Sequence, residues 1–386
     1  MAEVKSVDQV IRSISKDFGD IVKKGFSQDS AEVVLQSLGS IALDFCLYGG
    51  IHPGRFVELS GPEGSGKSTL AFMAGGVYQR THPDESVLLV DMEGTFDPTW
   101  ANKLGLKTDT QFLYYETVGQ AGEDVLNHVV DFIKAGVRFV IIDSLPMLVP
   151  GYVQEEDDMK QKSMGGNAHL LSDFTSRYTG LVHKTKAIVI GINQLRDNMT
   201  GYGDPVKTTG GRAWKHACSL RIMTKRGDFF GQDGEKIKKK DAQSPAGHFI
   251  EMHVLKNKDA PWDRKLGFTK LHYWKGVDYI SDLIEVAVYY DLIKCPSPGW
   301  YLLLDGEGNP LKNEKGDDLK IQGKLKLAEY LKNNKEVSGR IYHTVKELME
   351  QKGQGYLKGF EEMLGVTKNF TVGDEGYDGQ EVEEDE

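Results

Sequence analysis

The spacing of hydrophobic positions changes along this chain, and each change marks a different kind of element. From Ser6 to Val22 the apolar residues Val7, Val10, Ile11, Ile14, Phe18, Ile21 and Val22 recur every three or four positions, which predicts one amphipathic helix. Ser6 and Gln9 have the spacing of a capping box at its start. Such a helix either packs on its own core or docks on a neighbouring subunit. From about Ser37 to Ile222 short β-branched runs, "RFVELS", "SVLLVD", "RFVIID" and "AIVIGI", alternate with helical patterns. Near-continuous apolar strands between helices predict an α/β fold, a mostly parallel sheet covered on both faces. A further strand-rich stretch runs from "HFIEMHVLKNK" to "FTKLHYW". Near Gly276 the composition shifts, and a small α+β module is predicted: a helix over Tyr279–Tyr290, a hairpin in "GWYLLLDGEGNP" and Lys-rich helices from Gly323 to Gln351. The expected division is 1–36, an N-terminal oligomerisation segment; 37–275, the sheet domain; 276–366, the small module; and 367–386, an acidic tail.

Composition narrows the class. The 386 residues are 39% hydrophobic and 27% charged, within the range of soluble globular proteins. No apolar run approaches the roughly 20 residues of a membrane helix, and "MAEVKSVDQV" lacks the apolar stretch of a signal peptide. Three scattered cysteines, Cys46, Cys218 and Cys295, argue for a reducing compartment and against a disulfide frame or a zinc site. The net charge is −10, but "DEGYDGQEVEEDE" at the end holds −8 of it, leaving −2 over the other 373 residues. A local basic strip can therefore still meet nucleic acid.

The candidate chemistry begins at "GPEGSGKST", the run Gly61, Pro62, Glu63, Gly64, Ser65, Gly66, Lys67, Ser68, Thr69. It follows a predicted strand and precedes an apolar helix, the context a phosphate loop requires. Its glycines let backbone amides converge on phosphate oxygens at a helix N-terminus. Lys67 suits β/γ-phosphate oxygens and Ser68 a Mg²⁺ ion, so ATP or GTP with Mg²⁺ is the expected ligand. Asp143 ends "RFVIID", where ligands of open α/β sheets collect; it either serves the Mg²⁺ or caps the next turn. In "LLVDMEGTFDP", Glu93 either orients and deprotonates an attacking water or is a solvated loop acid. Trp100 either stacks on adenine, with Asp97 accepting from the exocyclic amine, or belongs to the core. Gln194 ends another strand at the same edge, where an amide can bond a γ-phosphate and release it after hydrolysis. The loop beyond carries Arg196, Asp197, Asp204, Lys207, Arg212 and Lys215, a net +2, with Tyr202 placed to stack on bases. The alternative is a surface loop with no ligand.

Taken together, "LGSIALDFCLYGGIHPGRFVELSGPEGSGKSTL", "EGTFDPTWANKLG", "SMGGNAHLLSDFTSR", "INQLR…GDPVKTTGGRAWK", "VLKNKDAPW" and "GWYLLLDGEG…IQGKLKLAEYLKNN" resemble the bacterial RecA recombinase family over nearly the whole chain. The resemblance implies a RecA-type P-loop NTPase core with an N-terminal polymerisation helix and a small C-terminal domain. It implies an ATP- and Mg²⁺-using, DNA-dependent ATPase that forms helical filaments on single-stranded DNA and exchanges strands with homologous double-stranded DNA. It makes Glu93 the base and Gln194 the γ-phosphate sensor, and it gives adenine to Asp97 and Trp100. Met164, Ser172, Arg177, Arg196, Tyr202, Gly210, Gly211 and Arg212 would lie along single-stranded DNA. Lys256 and Lys258 would reach a neighbour's γ-phosphate. The expected setting is the cytoplasm of a bacterial or phage-infected cell, with no membrane partner. The chain departs from the family in a long, charged "GYVQEEDDMKQKSM", in His169 and Ser176 where arginines are expected, in His216 where an aromatic is expected, and in an insertion at "LDGEGNPLKNEKGDDLK". Two rival functions share some of these features: a ring-forming replicative helicase, which gives no reason for "TTGG" or the N-terminal helix, and a non-catalytic nucleotide-switched DNA scaffold, which gives no reason for Glu93.

Overall fold

The computed structural model describes residues 6–18, 22, 33–117, 119–154, 166–197, 206–232, 234–238, 243–261, 263–313, 315–353, 357 and 359–366. Met164, Tyr202 and the tail 367–386 lie outside these residues. The chain divides into two compact units, Met1–Val34 and Leu35–Glu386. The first contains α1 (Val7–Phe18), and its predicted capping box is formed: Ser6 N donates to Gln9 Oε1 at 2.8 Å and Gln9 N to Ser6 Oγ at 3.3 Å.

The second unit runs α2 (Ile41–Cys46), β1 (Arg55–Gly61), α3 (Lys67–Thr81), β2 (Val87–Asp91), α4 (Pro98–Lys103), β3 (Phe112–Glu116), α5 (Gly122–Ala135), β4 (Phe139–Asp143), a 3-10 turn at Leu145–Met147, α6 (Gly151–Gln154) and α7 (Gly166–Thr185). It continues through β5 (Ile188–Asp197), β6 (Val206–Thr208), α8 (Gly211–Ala217), β7 (Leu220–Phe230), β8 (Lys236–Ile237), β9 (Gly247–Asn257), β10 (Leu266–His272) and β11 (Gly276–Val277). The C-terminal part holds α9 (Tyr279–Tyr289), β12 (Ile293–Ser297), β13 (Trp300–Leu303), β14 (Lys320–Gln322), α10 (Lys324–Asn333), α11 (Lys335–Gln351) and α12 (Glu361–Leu364).

The main sheet has the order β11-β10-β9-β7-β1-β5-β4-β2-β3. From β7 to β3 neighbouring strands are parallel; β9, β10 and β11 extend the sheet antiparallel. The apolar runs are explained by burial on both faces. In β4, Phe139 and Ile141 join the cluster under α3, while Val140 and Ile142 join the cluster under α5 and α7. β2 alternates in the same way through Val87, Leu88, Leu89 and Val90. Each fully buried side chain of this kind contributes about 1.5–3 kcal/mol.

One sequence expectation needs correction and another is extended. The strand beginning at Ile188 does not stop where its apolar run stops; β5 continues to Asp197 because Leu195, Arg196 and Asp197 pair antiparallel with Thr208, Lys207 and Val206 of β6. The expected hairpin in "GWYLLLDGEGNP" is formed, with Leu304 bridged antiparallel to Pro310, and a further strand precedes it. Pro298 and Gly299 form the turn between β12 and β13, with Ser297 paired to Trp300, and β14 completes a three-stranded sheet.

A third cluster packs α9, α10 and α11 with Ile41 and Ala42 of α2. At this junction two carboxylates are buried. Asp282 accepts from Ser40 Oγ at 2.5 Å and Thr269 Oγ1 at 2.9 Å; Asp44 accepts from Leu38 N at 2.7 Å and from Ser37 Oγ. Burial pushes Asp44 up to about 8 and Asp282 up to about 7. The folded state thus holds protons that the unfolded chain has already released. Stability is fully present at low pH and is lost as pH rises through these two values. Thermal or urea unfolding at pH 6 and pH 9 is expected to show a drop toward pH 9. That drop shrinks by about 1.4 kcal/mol in Asp282→Asn, the one pH unit between pH 6 and about 7; an identical pH dependence in the variant would contradict the assignment.

Candidate nucleotide and nucleic-acid site

Because β1, β2, β4 and β5 are parallel, their carboxyl ends lie along one edge of the sheet, where open α/β sheets bind ligands. The register fixes which residues meet there: Gly61 pairs with Gln194 and Asp91 with Asp143. The phosphate loop, Glu93, Asp143 and Gln194 are therefore brought together.

The loop Gly61–Thr69 leaves β1 and opens into the fifteen-residue α3. Gly66 caps α3 in the left-handed region at φ +92, and a Cβ there would stand 2.8 Å from Ile250 Cδ1, so this position requires glycine. Ser65 Oγ lies 2.7 Å from both Pro62 O and Thr224 Oγ1, which ties the loop to β7. Lys67 Nζ donates to Pro62 O at 2.8 Å, and burial holds its pKa down. Ser68 Oγ donates to Asp143 Oδ2 at 2.7 Å, so the Asp143 side chain is spent on the loop rather than on capping the next turn. Burial pushes Asp143 up to about 6; its bond from Ser68 opposes this, and Glu93 and Asp91 add to it.

This edge fits a triphosphate with Mg²⁺. The first amides of a long helix, which have no acceptor within the helix, open at the loop; Lys67 donates to a loop carbonyl; and Asp143, Glu93 and Asp91 lie together with Lys67 near them. Among the described residues no three His, Cys, Asp or Glu side chains form a metal cage. Ser68 and Asp143, joined at 2.7 Å, are the residues that would hold a Mg²⁺ ion whose remaining ligands are phosphate oxygens and water.

Glu93 is held by its neighbours on both sides. Ser144 Oγ donates to Glu93 Oε1 at 2.5 Å and Gln194 Nε2 to the same oxygen at 3.1 Å. Asp91, buried at the end of β2, fixes the loop carrying Glu93: its carboxylate accepts from the amides of Glu93, Gly94 and Phe96 at 2.8–3.2 Å and from Tyr114 OH at 3.1 Å. Asp97 is the N-cap of α4, accepting from Thr99 N at 2.8 Å and Trp100 N at 3.2 Å, with Pro98 at the first helical position. Its Oδ1 takes both bonds; Oδ2 accepts none among the described residues. Trp100 is half-buried against the core.

The expected DNA residues fall into two groups. Arg196 on β5 and Gly210 at the start of α8 line a cavity of about 240 Å³ with Asn167, Ala168 and Thr209. Gly211 and Arg212 follow in the first turn of α8, and a Cβ on Gly211 would stand 2.9 Å from Ala168 Cβ, so α7 and α8 meet closely. Ser172 and Arg177 lie farther along α7; Arg177 is exposed, 3.9 Å from Asp173.

Lys256 and Lys258 are not at this edge. β9 runs antiparallel to β7, so they lie beside Leu220 and Arg221, at the end where β7 begins. Lys256 Nζ donates to Lys215 O at 2.6 Å and His216 O at 3.1 Å, and Lys258 Nζ to His216 O at 3.1 Å. The two lysines cap the C-terminal carbonyls of α8.

Sequence reasoning missed the polar wiring beneath the edge. Fully buried Glu58, in the middle of β1, accepts from Arg221 Nε and from Asn193 Nδ2 at 2.8 Å; Asn193 also donates to Thr209 O at 3.1 Å and accepts from Thr209 Oγ1 at 2.6 Å. The signal was present: an acid inside "RFVELS" has no reason to sit in a doubly covered strand unless it is paired. Trp214 of α8 is seated over Gly191, where a Cβ would stand 2.6 Å from the indole.

The profile of the RecA N-terminal domain matches residues 5–278. A protein named Protein RecA from Chlorobaculum tepidum is 32% identical over 354 residues, 90% of this chain and 94% of that protein. Protein RecA from Lactobacillus johnsonii is 30% identical over 347 residues, covering 89% and 88%, and that from Streptococcus sanguinis 32% over 347, covering 89% and 84%. A solved structure described as the RadB recombinase aligns with a TM-score of 0.47 and 20% identity over 63% of this chain and 98% of its own.

Removing Glu58 strands a guanidinium that is only 17% exposed and takes one of the two acceptors of the Asn193 amide. Glu58→Ala is expected to lower the unfolding free energy in urea by about 3–5 kcal/mol; a loss below about 1 kcal/mol would mean that the network is not what joins β1, β5 and β7.

Proposed function

Because the chain belongs to the RecA family, we propose that it is an ATP-dependent recombinase: a DNA-dependent ATPase that assembles as a helical filament on single-stranded DNA and pairs it with homologous double-stranded DNA. The observation that carries this reading is the shared hydrogen bond between Glu93 and Gln194 at the edge beside Lys67 and Ser68.

In this reading the loop amides of Gly61–Thr69 and Lys67 bind the triphosphate, and Ser68 with Asp143 hold Mg²⁺, which when bound screens phosphate charge. Asp97 and Trp100 lie along adenine. Glu93 takes a proton from water as the water oxygen attacks the γ-phosphorus and the bond to the ADP oxygen breaks. Gln194 turns from Glu93 to the γ-phosphate while the triphosphate is present and returns after hydrolysis. Since Gln194 lies on β5, three residues before Asp197 and the segment joining β6, its position biases the DNA grip of Arg196, Gly210, Gly211 and Arg212. Ser172, Arg177, Met164 and Tyr202 extend that surface; the last two lie outside the described residues. Base pairing, not side chains, carries sequence specificity.

Lys256 and Lys258 support self-association. By register Lys256 stands level with Arg221 and Glu58, three residues of β1 or about 10 Å of extended strand before Gly61, and Lys258 stands farther still from their own phosphate loop. In this reading the γ-phosphate they reach is one bound by another copy. The N-terminal helix serves the same assembly, and the basic C-terminal helices attract duplex against the acidic tail.

Three measurements test the reading. Steady-state ATP turnover is expected to rise strongly with single-stranded DNA. Lys67→Ala is expected to lose turnover and nucleotide binding, and Glu93→Gln to lose at least about 100-fold in turnover while keeping ATP-dependent DNA binding. DNA-independent turnover, or an active Glu93→Gln, would overturn it. Closed rings instead of filaments by electron microscopy, with ATP analogue and single-stranded DNA, would favour the helicase.

A further inference from the structure

We infer that Ser144 is a positioning residue for water activation: its hydroxyl pins Oε1 of Glu93 so that Oε2 is the oxygen presented to the attacking water. The inference rests on the reading of Glu93 as the base and adds to it the residue that holds that base from behind.

The argument starts from where Ser144 stands. It follows Asp143 directly at the end of β4, it is 1% exposed, and Met92 N donates to Asp143 O at 2.7 Å, so the β2 and β4 ends are joined just where Glu93 leaves the sheet. A serine before a short helical turn ordinarily spends its hydroxyl on capping. Ser144 occupies that position ahead of Leu145–Met147, yet its side chain makes no capping bond. The hydroxyl donates instead to Glu93 Oε1 at 2.5 Å.

The second step is a division of labour between two donors. Gln194 Nε2 donates to the same oxygen at 3.1 Å, while Oε2 accepts from no described residue. Two donors on one oxygen fix the carboxylate plane and leave the other oxygen to meet water. They differ in permanence. Gln194 is exposed, level with the end of β1, and is the side chain that would swing to a γ-phosphate. Ser144 is buried and has no such alternative partner. When Gln194 leaves, Ser144 is the donor that keeps Glu93 aimed, at the moment when a triphosphate is bound and aim matters. A base displaced by an ångström loses much of its effect without any change in substrate binding.

The test is DNA-stimulated ATP turnover by the full-length protein, measured for wild type, Ser144→Ala, Ser144→Thr and Glu93→Gln, with the KM for ATP and the melting temperature of each. Ser144→Ala is expected to lose about tenfold in kcat, part of the 10²–10⁴-fold that a positioned base supplies. Its KM is expected to stay within about twofold, as for an interaction made at the chemical step rather than in binding. Ser144→Thr, which keeps the hydroxyl, is expected to recover most of the rate. A kcat for Ser144→Ala within twofold of wild type, with Glu93→Gln inactive, overturns the role of Ser144 and leaves the base assignment standing. An active Glu93→Gln overturns the base assignment itself. A loss in Ser144→Ala that follows a raised KM or a lowered melting temperature, or that Ser144→Thr fails to restore, makes the residue structural and also overturns the inference.

Discussion

One hydrogen bond, Gln194 Nε2 to Glu93 Oε1 at 3.1 Å, is where the proposed chemistry and the proposed DNA grip meet. It exists because of strand order. β5 lies between β1 and β4, and β4 pairs with β2, so the tip of β5 comes down between the phosphate loop and the acid that follows β2. A parallel sheet puts all these tips on one side. The remaining requirements are local: a loop of amides for phosphate, a carboxylate for water, and an amide side chain able to exchange one acceptor for another.

The rest of the molecule holds this edge in register. Asp91 gathers three amides of the Glu93 loop onto a buried carboxylate, and Thr224 and Ser65 fasten the phosphate loop to β7. One layer down, Arg221, Glu58, Asn193 and Thr209 form a chain of bonds from β7 through β1 and β5 to the residue before Gly210. The start of α8 is thus wired to the strand that carries Gln194, and its far end rests on the ammonium groups of Lys256 and Lys258. In the proposed filament those lysines have a competing anion, a neighbour's phosphate. α8 would then join a contact between copies to the candidate DNA surface through a single helical segment whose Trp214 is clamped over Gly191.

Much of this was legible from residue pattern because it follows from period and spacing. Four apolar runs alternating with helical stretches required a covered parallel sheet, and the phosphate loop was readable from nine residues in their context. Where a strand was half polar, pattern reading failed. The run "AIVIGI" ended the apolar signal five residues before β5 ended, because Leu195–Asp197 is held by its pairing with β6 rather than by burial. Asp97 was read only for a ligand, although an acid followed by proline is also a helix start, and it caps α4. Ser144 and Asp91 carry no periodic signal at all; their importance lies in which strand ends are neighbours, a matter of sheet order that one sequence does not state. Glu58 was the missed opportunity, an acid in an otherwise apolar strand.

The most direct test asks whether nucleotide is felt beyond Gln194. Hydrogen exchange of the backbone amides at Leu195–Asp197 and Val206–Thr208 is compared with and without a non-hydrolysable ATP analogue and Mg²⁺, in wild type and in Gln194→Ala. Binding of the analogue to both proteins is verified separately. The account requires the analogue to change exchange in β5 and β6 of the wild type and to leave these amides unchanged in the variant. An equal change in both proteins would show that the nucleotide state reaches the candidate DNA surface without this amide, and the central claim would be wrong.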